Sequence, residues 1–451
     1  MKKVLILVFA LLLALPAASF AGSATSLWDM TIGGNIKFDM GWATGNASGL
    51  LDTPVPVYRP EIPQNINTKY GNQLWGLGET GLTFFIKGPD TFGAKTNALV
   101  IGDFTGVWGG SGSGTSQTGP LTNYGTFDLV VARMELAWEK TSLIIGQDMV
   151  VNNFWTNLFQ AVSWNLGMGG KYPAPVTPEI LLTQKLTKEF NFQFGITEPW
   201  DGNTSQNSFN PAGANEQTSY TRSTIPNFQG ALNYESDKCG KIGPWDLRFA
   251  LDGIYGQQRF TEFDTIGATG VPSGLTGTKD ITVWQAMFKW MVPIIPAKGE
   301  DKTGALLFDG DVWTSQGASA YNTNAGLLGN GSYVRPGQDI ATPVMTGFLV
   351  NSQYWLTDKL SLFGTWQYAR SNHSTWYAEA YSAPAGVTDV SPAFTGKNIH
   401  GTTLQLMYDV NPAVRFVLDW DECVQQYDLY APGYRSSAVA NSYRFAAYYF
   451  F

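Results

Sequence analysis

The chain has little with which to hold a metal or a haem: two cysteines and two histidines in 451 residues. Zinc, iron–sulfur and haem centres take clusters of those side chains, so metalloenzymes of these kinds are excluded and no cofactor is expected. Charge is also scarce. Asp, Glu, Lys and Arg are 14% of the residues, against about 25% in soluble domains. Acids outnumber bases, 36 to 28, for a formal net charge of −8. Neutralising phosphates takes clustered Lys and Arg, so no nucleic-acid partner is expected. Beyond the first 21 residues no apolar run nears the ~20 residues that carry a helix across a bilayer. The longest candidate, Trp290 to Ala297, holds two prolines. A helical membrane protein is excluded.

What is present points to a solvent other than water. Aromatics are 14% of the chain and glycines number 50. Residues 1–21 have a secretory layout: Lys2 and Lys3, an apolar stretch from Val4 to Ala18, then Ser19 and Ala21 where a signal peptidase reads small residues. Composition and periodicity persist from residue 22 to 451, so the remainder is expected to be one domain.

Its dominant period is two, not the three-and-four spacing of a helix. Met30, Ile32, Ile36, Phe38, Met40 and Trp42 alternate with Thr31, Asn35, Lys37 and Asp39. Val130, Ala132, Met134, Leu136 and Trp138 alternate with Arg133, Glu135 and Glu139. Phe190, Phe192, Phe194 and Ile196 do so with Asn191, Gln193 and Thr197. Trp245, Leu247, Phe249, Leu251 and Tyr255 do so with Asp246, Arg248 and Asp252, and Val414, Phe416, Leu418 and Trp420 with Arg415, Asp419 and Asp421. Segments of this kind fall near 29–42, 74–88, 94–108, 126–139, 141–150, 178–187, 189–199, 226–236, 245–259, 280–292, 303–314, 343–356, 359–371, 398–409, 412–424 and 438–451. Short turn-forming connections alternate with long ones rich in Gly, Ser, Thr, Asn and Pro. Strands of ~9–11 residues with one apolar face cross a bilayer if the sheet closes, because closure leaves no backbone group unpaired in hydrocarbon. The expected fold is all-β: a transmembrane antiparallel barrel of about sixteen strands, both termini periplasmic, with Trp42, Trp138, Trp245 and Trp355 in the interfacial girdles.

The last residues are more specific. Tyr443, Phe445, Ala447, Tyr449 and Phe451 share one face of a strand that stops on Phe. An alternating aromatic strand closed by a terminal Phe resembles the assembly signal of outer-membrane barrels, and on that match the chain resembles the Gram-negative porins. The resemblance implies a homotrimer in outer-membrane lipid and a third long loop folded into the lumen. A weaker one, to trimeric porins of the DcaP-like kind, rests on Ile145–Gly146–Gln147, Trp155, Phe159 and the Pro178 to Gln184 stretch. It spans about 40 residues.

Sixteen strands enclose more space than side chains fill, so an aqueous channel is expected, with something to narrow it. The third long loop, 151–177, is the candidate. It carries Phe154, Trp155, Leu158, Phe159 and Trp164, poorly suited to project into water, and no ionised side chain lies between Asp148 and Lys171. Parity places Lys37, Asp39, Arg133, Glu135, Asp246, Arg248, Asp252, Asp309, Asp311, Arg415, Asp419, Asp421 and Arg444 on the pore side. Opposed charges there would set a transverse field that orients polar solutes; charges paired along the wall are the plainer alternative. Acids exceed bases in this set, hence an expected weak cation preference. Asp309 with Asp311, and Asp419 with Asp421, each put two carboxylates on one face, where wet lumen charge is a plainer account than a bound divalent cation. No metal centre is expected. Cys239 in a short turn and Cys423 near a strand's far end are too far apart to be bridged.

The leading expectation is therefore a channel for passive diffusion of ions and small hydrophilic solutes. One alternative is a surface-exposed structural or adhesive barrel with a closed or plugged lumen. An outer-membrane phospholipase would need a nucleophile beside His373 or His400, and no such motif accompanies either.

Overall fold

The computed structural model describes residues 28–44, 47–48, 55–56, 72–77, 80–106, 126–151, 176–198, 223, 225–266, 272–316, 344–372, 395–429 and 436–451. They form β-sheet; no helix long and apolar enough to cross a membrane occurs among them, which says nothing about crossing by strands.

The strands are β1 (Asp29–Ala43), β2 in two pieces (Asn72–Gly76 and Gly81–Lys87), β3 (Lys95–Gly106), β4 (Thr126–Ala137), β5 (Thr141–Met149), β6 (Val176–Lys185), β7 (Phe190–Thr197) and β8 (Asn227–Ser236). Then come β9 (Leu247–Ile266), β10 (Pro272–Ile295), β11 (Leu306–Gln316), β12 (Val344–Trp355), β13 (Leu360–Ser371), β14 (Thr395–Asn411), β15 (Val414–Leu429) and β16 (Ser437–Phe450). Each pairs antiparallel with its chain neighbours, and β1 pairs with β16 from Asn35↔Phe450 to Ala43↔Ser442. The sheet is closed. Both pieces of β2 lie along β1 in one line, so the ring has sixteen staves.

Local chemistry explains the turns and breaks. Three short turns are tied by a side-chain oxygen at the turn's start. Thr187 Oγ1 accepts from the Glu189 and Phe190 amides, Thr357 Oγ1 from Lys359 and Leu360, and Asn411 Oδ1 from Ala413 and Val414, at 2.8 to 3.2 Å. Where β2 is interrupted, Thr80 Oγ1 takes the Lys37 amide at 3.2 Å, so β1 is not left with an unmet donor. At the seam Gly34 and Phe451 exchange backbone bonds, both 3.1 Å. The terminal Phe thus completes the first strand's ladder.

The structure departs from the sequence reading in strand length and in one strand's parity. The stretch 260–279, expected as a long loop, is mostly ladder: β9 and β10 pair up to Ile266↔Pro272. Phe260, Phe263 and Ile266 among threonines favour extended backbone, and strand pairing does not have to stop where the bilayer does. In β4, Ile101 pairs with Val131 but Gly102 with Leu129, leaving Val130 as a bulge. The expected outward parity of Val130 is therefore broken there, and Leu129 takes the exposed side.

Candidate pore wall

Parity divides each strand between an apolar outside and a mixed inside. The outward set includes Ile36, Met40, Trp42, Phe194, Leu232, Leu251, Tyr255, Leu404 and Leu418, all exposed. Near the short-turn end an aromatic row, Phe190–Tyr234–Phe249–Phe288–Trp290–Phe308, runs across β7 to β11 with ring centroids 4.9 to 6.3 Å apart. Toward the long-loop end Trp42 stacks on Tyr443 at 5.9 Å. Such rows suit the two membrane interfaces. Tyr443, Tyr449 and Phe451 are exposed on this outer face, and Phe445 is half-buried against Phe416, centroids 6.0 Å apart. Trp138 is also outward, its indole bonded to the Phe92 carbonyl at 3.0 Å. Trp355 is a correction. It is 5% exposed and points inward, packed with Met291, Ala305 and Leu307, and Trp245 packs against the same group. Strand parity puts Trp355 with Asn351 and Gln353, and parity outweighs an aromatic's preference for an interface.

One polar group sits on the outer face with a definite use. Gln147 Nε2 donates to the Leu129 and Val130 carbonyls at 2.9 and 3.2 Å, the acceptors that the β4 bulge frees. Beside it Gly146 has φ +143°, and a Cβ there would collide with the Ala132 carbonyl. The Gly146–Gln147 pair is thus a bulge clasp.

Inside, β10 to β16 form three tiers. Near the long loops, Met287, Trp313, Met345, Ala369, Ile399 and Cys423 pack as one apolar cluster. Near the short turns are two more, one around Met291, Leu307 and Trp355, the other around Phe363, Met407, Val417 and Tyr448. Between them runs a polar belt. Eight of the expected pore residues belong to it: Lys37, Asp39, Asp252, Asp309, Asp311, Asp419, Asp421 and Arg444, none more than 5% exposed. These charges are dry.

Bases are matched to acids beside them rather than ranged against a distant row. Lys37 meets Asp39 at 3.1 Å and lies 5.6 Å above the Tyr448 ring. Arg133 meets Asp148 at 2.9 Å on the half-buried wall of β4 and β5, where Glu135 is also half-buried. At the short-turn rim Arg248 bridges Asp246 at 2.6 Å and Glu235 at 3.0 Å, and Arg415 holds Asp409 at 2.6 Å. Two belt acids take neutral donors: Asn351 donates to Asp309 at 2.7 Å, and Thr403 and Ser442 donate to Asp421 at 2.6 and 3.2 Å.

Sequence reasoning missed Lys289, Glu179 and Gln229. Lys289 is 2% exposed, 2.8 Å from Asp252, and also donates to the Val151 carbonyl at 3.0 Å. Val151 donates its amide to Gln229 Oε1 at 2.9 Å, and Gln229 Nε2 donates to Glu179. Val151 itself packs on Leu181 and Ala231. The available signal for Lys289 was its parity opposite Phe288 and Trp290. Nothing in the sequence marks Gln229 as a backbone clamp.

Phe154, Trp155, Phe159, Trp164 and His373 lie outside the described residues. His400 is on the outward side of β14, in register with Tyr368 and Val424. Cys239 is exposed in the turn after β8 and Cys423 is buried; both are free thiols.

No family model matches the chain, and no curated protein does. Solved structures match over nearly its whole length. The outer-membrane channel DcaP of Acinetobacter baumannii superposes with a TM-score of 0.66 at 11% identity, over 94% of this chain and 97% of that one. The chain has the porin fold. The anion-selective porin of Comamonas acidovorans gives 0.54 at 10%, over 94% and 100%, and Pseudomonas putida OprB gives 0.51 at 12%, over 94% of each. At these identities the likeness is one of fold and does not single out the DcaP kind. A closed barrel of sixteen staves with an apolar outer band is the architecture of bacterial outer-membrane proteins.

Proposed function

We propose that the chain, freed of residues 1–21, is an outer-membrane diffusion channel for ions and small hydrophilic solutes. Its termini would lie in the periplasm, where short turns belong. The observation that carries this is the closed sixteen-stave ring, apolar outside, with charged and amide side chains facing inward. A ring of that width is not filled by its own wall residues. A weak cation preference is read from the belt: Asp309 is met by the neutral Asn351 amide, while Lys37 and Lys289 are each neutralised by an aspartate. A homotrimer is carried over from the resemblance to trimeric porins. No hydrolytic role is proposed, because His400 faces outward among apolar and aromatic neighbours.

The narrowing element is proposed to be the segment after β5. Val151 is bonded by its amide to β8 and by its carbonyl to β10, through two side chains that face inward. That double hold supports an inward course for 152–175, with Phe154, Trp155, Phe159 and Trp164 against the wall.

A second reading, a barrel closed at rest, is favoured by one observation. Asp311, Asn351 and Gln367 are 0% exposed, although a wide watered lumen would wet them. Planar-bilayer recording of the refolded chain in a KCl gradient separates the two. Discrete steps, in threes for a trimer, with a shallow cation-directed reversal support the channel. Silence from correctly folded barrels favours the closed one.

A further inference from the structure

We propose that Phe92, at the tip of the turn between β2 and β3, is a fixed anchor in the lipid on the short-turn side of the membrane. The turn is tight: Thr91 and Ala94 exchange backbone hydrogen bonds, both 2.9 Å, across Phe92 and Gly93. Both central residues have positive φ, 53° at Phe92 and 73° at Gly93, as the mirror-image hairpin turn requires. A side chain with a Cβ is crowded there, and Asn or Gly is the ordinary occupant. Phe92 also has almost no protein cover. It is 86% exposed, more than any other described large apolar side chain; Leu251, out on the lipid-facing wall, is 60% exposed. A phenyl group held on an unfavourable backbone and shut out of the protein serves none of this chain's own packing.

The turn is also aimed. Trp138 Nε1 donates to the Phe92 carbonyl at 3.0 Å, and Thr96 Oγ1 donates to the Pro89 carbonyl at 2.8 Å. Both donors are on the outward side: Trp138 follows Met134 and Leu136 in parity, and Thr96 is in register with Leu136. The turn therefore lies against the lipid-facing side of the barrel rather than over its mouth. Two further bonds stiffen it. Thr91 Oγ1 also donates to the Pro89 carbonyl, at 3.2 Å, and the Gly88 amide meets the Thr96 carbonyl at 2.9 Å. Parity alone delivers the aromatic rows of the strands to the outside, whereas Phe92 is carried there by a turn that side chains bend outward. Trp28, Leu186 and Phe190 are exposed along the same edge, at the depth where headgroups meet acyl chains and aromatic rings are favoured. Size selects lipid over a second copy of the chain. One aromatic ring covers ~150–250 Å², and a stable protein interface needs ~1,200 Å² or more.

The test is fluorescence quenching on the refolded chain in vesicles of phosphatidylethanolamine and phosphatidylglycerol. Cys239→Ser removes the exposed thiol, Cys423 being buried. An environment-sensitive fluorophore is then attached at Phe92→Cys or, for reference, at Glu300→Cys in another exposed short turn. A lipid carrying a nitroxide near its headgroup should quench the label at 92 several-fold more than the label at 300, and aqueous iodide should do the reverse. Equal quenching by the lipid at both places would overturn the anchor. So would a label at 92 shielded from nitroxide and iodide alike, which would seat it against a second copy. Should the labelled variant fail to fold, Phe92→Asn decides by its sign. Asn suits the left-handed backbone, so without an anchor the denaturant midpoint in vesicles would stay or rise; the anchor predicts that it falls. The inference rests on an outer face that meets lipid, not on conduction. Its failure would leave the channel reading standing, and silence in a bilayer would leave the anchor standing.

Discussion

Strands β9 to β16 and strands β2 to β5 share the alternating plan but bury their faces differently. In the later strands inward side chains are shut from water and outward ones exposed, position by position: β13 alternates from Ser361 and Phe363, buried, to Leu362 and Trp366, exposed. In β2, β3 and β5 both faces are half-buried almost throughout. Their inward positions are also more apolar: Phe85, Leu99, Ile101 and Ile144. Ile144 packs against Val151, Leu181 and Ala231, where the chain leaves β5 and is clamped to β8 and β10. The contrast teaches that parity fixes which way a side chain points, while what lies over that face decides whether it should be charged. A charged belt suits the late wall; an apolar seat suits the wall from which the third long connection departs.

Substitutions at the clamp press hardest on this contrast. Lys289→Met should be the most damaging, because it takes the ammonium away from the buried Asp252 carboxylate and frees the Val151 carbonyl. Removing one partner of a buried pair costs about 3–5 kcal/mol. Denaturant unfolding followed by tryptophan fluorescence would measure it, and adding Asp252→Leu should recover part of the loss. Gln229→Leu should come next, since it leaves the Val151 amide and Glu179 without their partner. Loss of about 1–3 kcal/mol is expected for unmet buried polar groups. On the outer face Gln147→Leu should cost about 1–2 kcal/mol, because the bulge carbonyls lose a donor that lipid does not replace. Equal stability of this variant would mean that the bulge carbonyls need no clasp.

The smallest effect belongs to the short turns, away from both walls. Lys238 and Glu189 pair at 3.1 Å on the surface. The hydrogen bond and charge of Lys238 hold the Glu189 carboxyl below its ordinary value, and Glu189 in turn holds Lys238 above its own. The stabilisation is present between their two titrations. It is lost as pH falls through the lowered Glu189 value or rises through the raised Lys238 value. Water and salt screen this exposed pair. Lys238→Ala should therefore leave the neutral-pH unfolding midpoint within error, and a clear drop would place these turns inside the cooperative unit.

Much of the ring was legible in the sequence. Sixteen alternating segments match sixteen staves because a sheet wetted on one side and lipid-bound on the other must repeat at two. Asn411, Thr187 and Thr357 announced their turns because their side chains cap free amides. The terminal aromatics were readable because Phe451 both closes the ladder and faces outward. Less was readable in the wall. Thirteen pore-side charges were placed by parity, but not the dryness of the eight in the belt, since burial depends on neighbours several strands away. Lys289 hid within Met287–Phe288–Lys289–Trp290–Met291, where apolar residues on both faces mask the alternation. Trp355 was placed by its chemistry when its register should have ruled. The ladder beyond Arg259 was missed because pairing outside the bilayer needs no apolar face to mark it.

The most direct measurement is single-channel conductance of the unaltered barrel beside the Gln229→Leu, Lys289→Met double variant, in the same bilayer and salt. A channel narrowed by the segment that Val151 begins should open in discrete steps, and the double variant should open in larger ones. Equal steps would contradict the clamp, and silence from folded barrels of both kinds would contradict the channel.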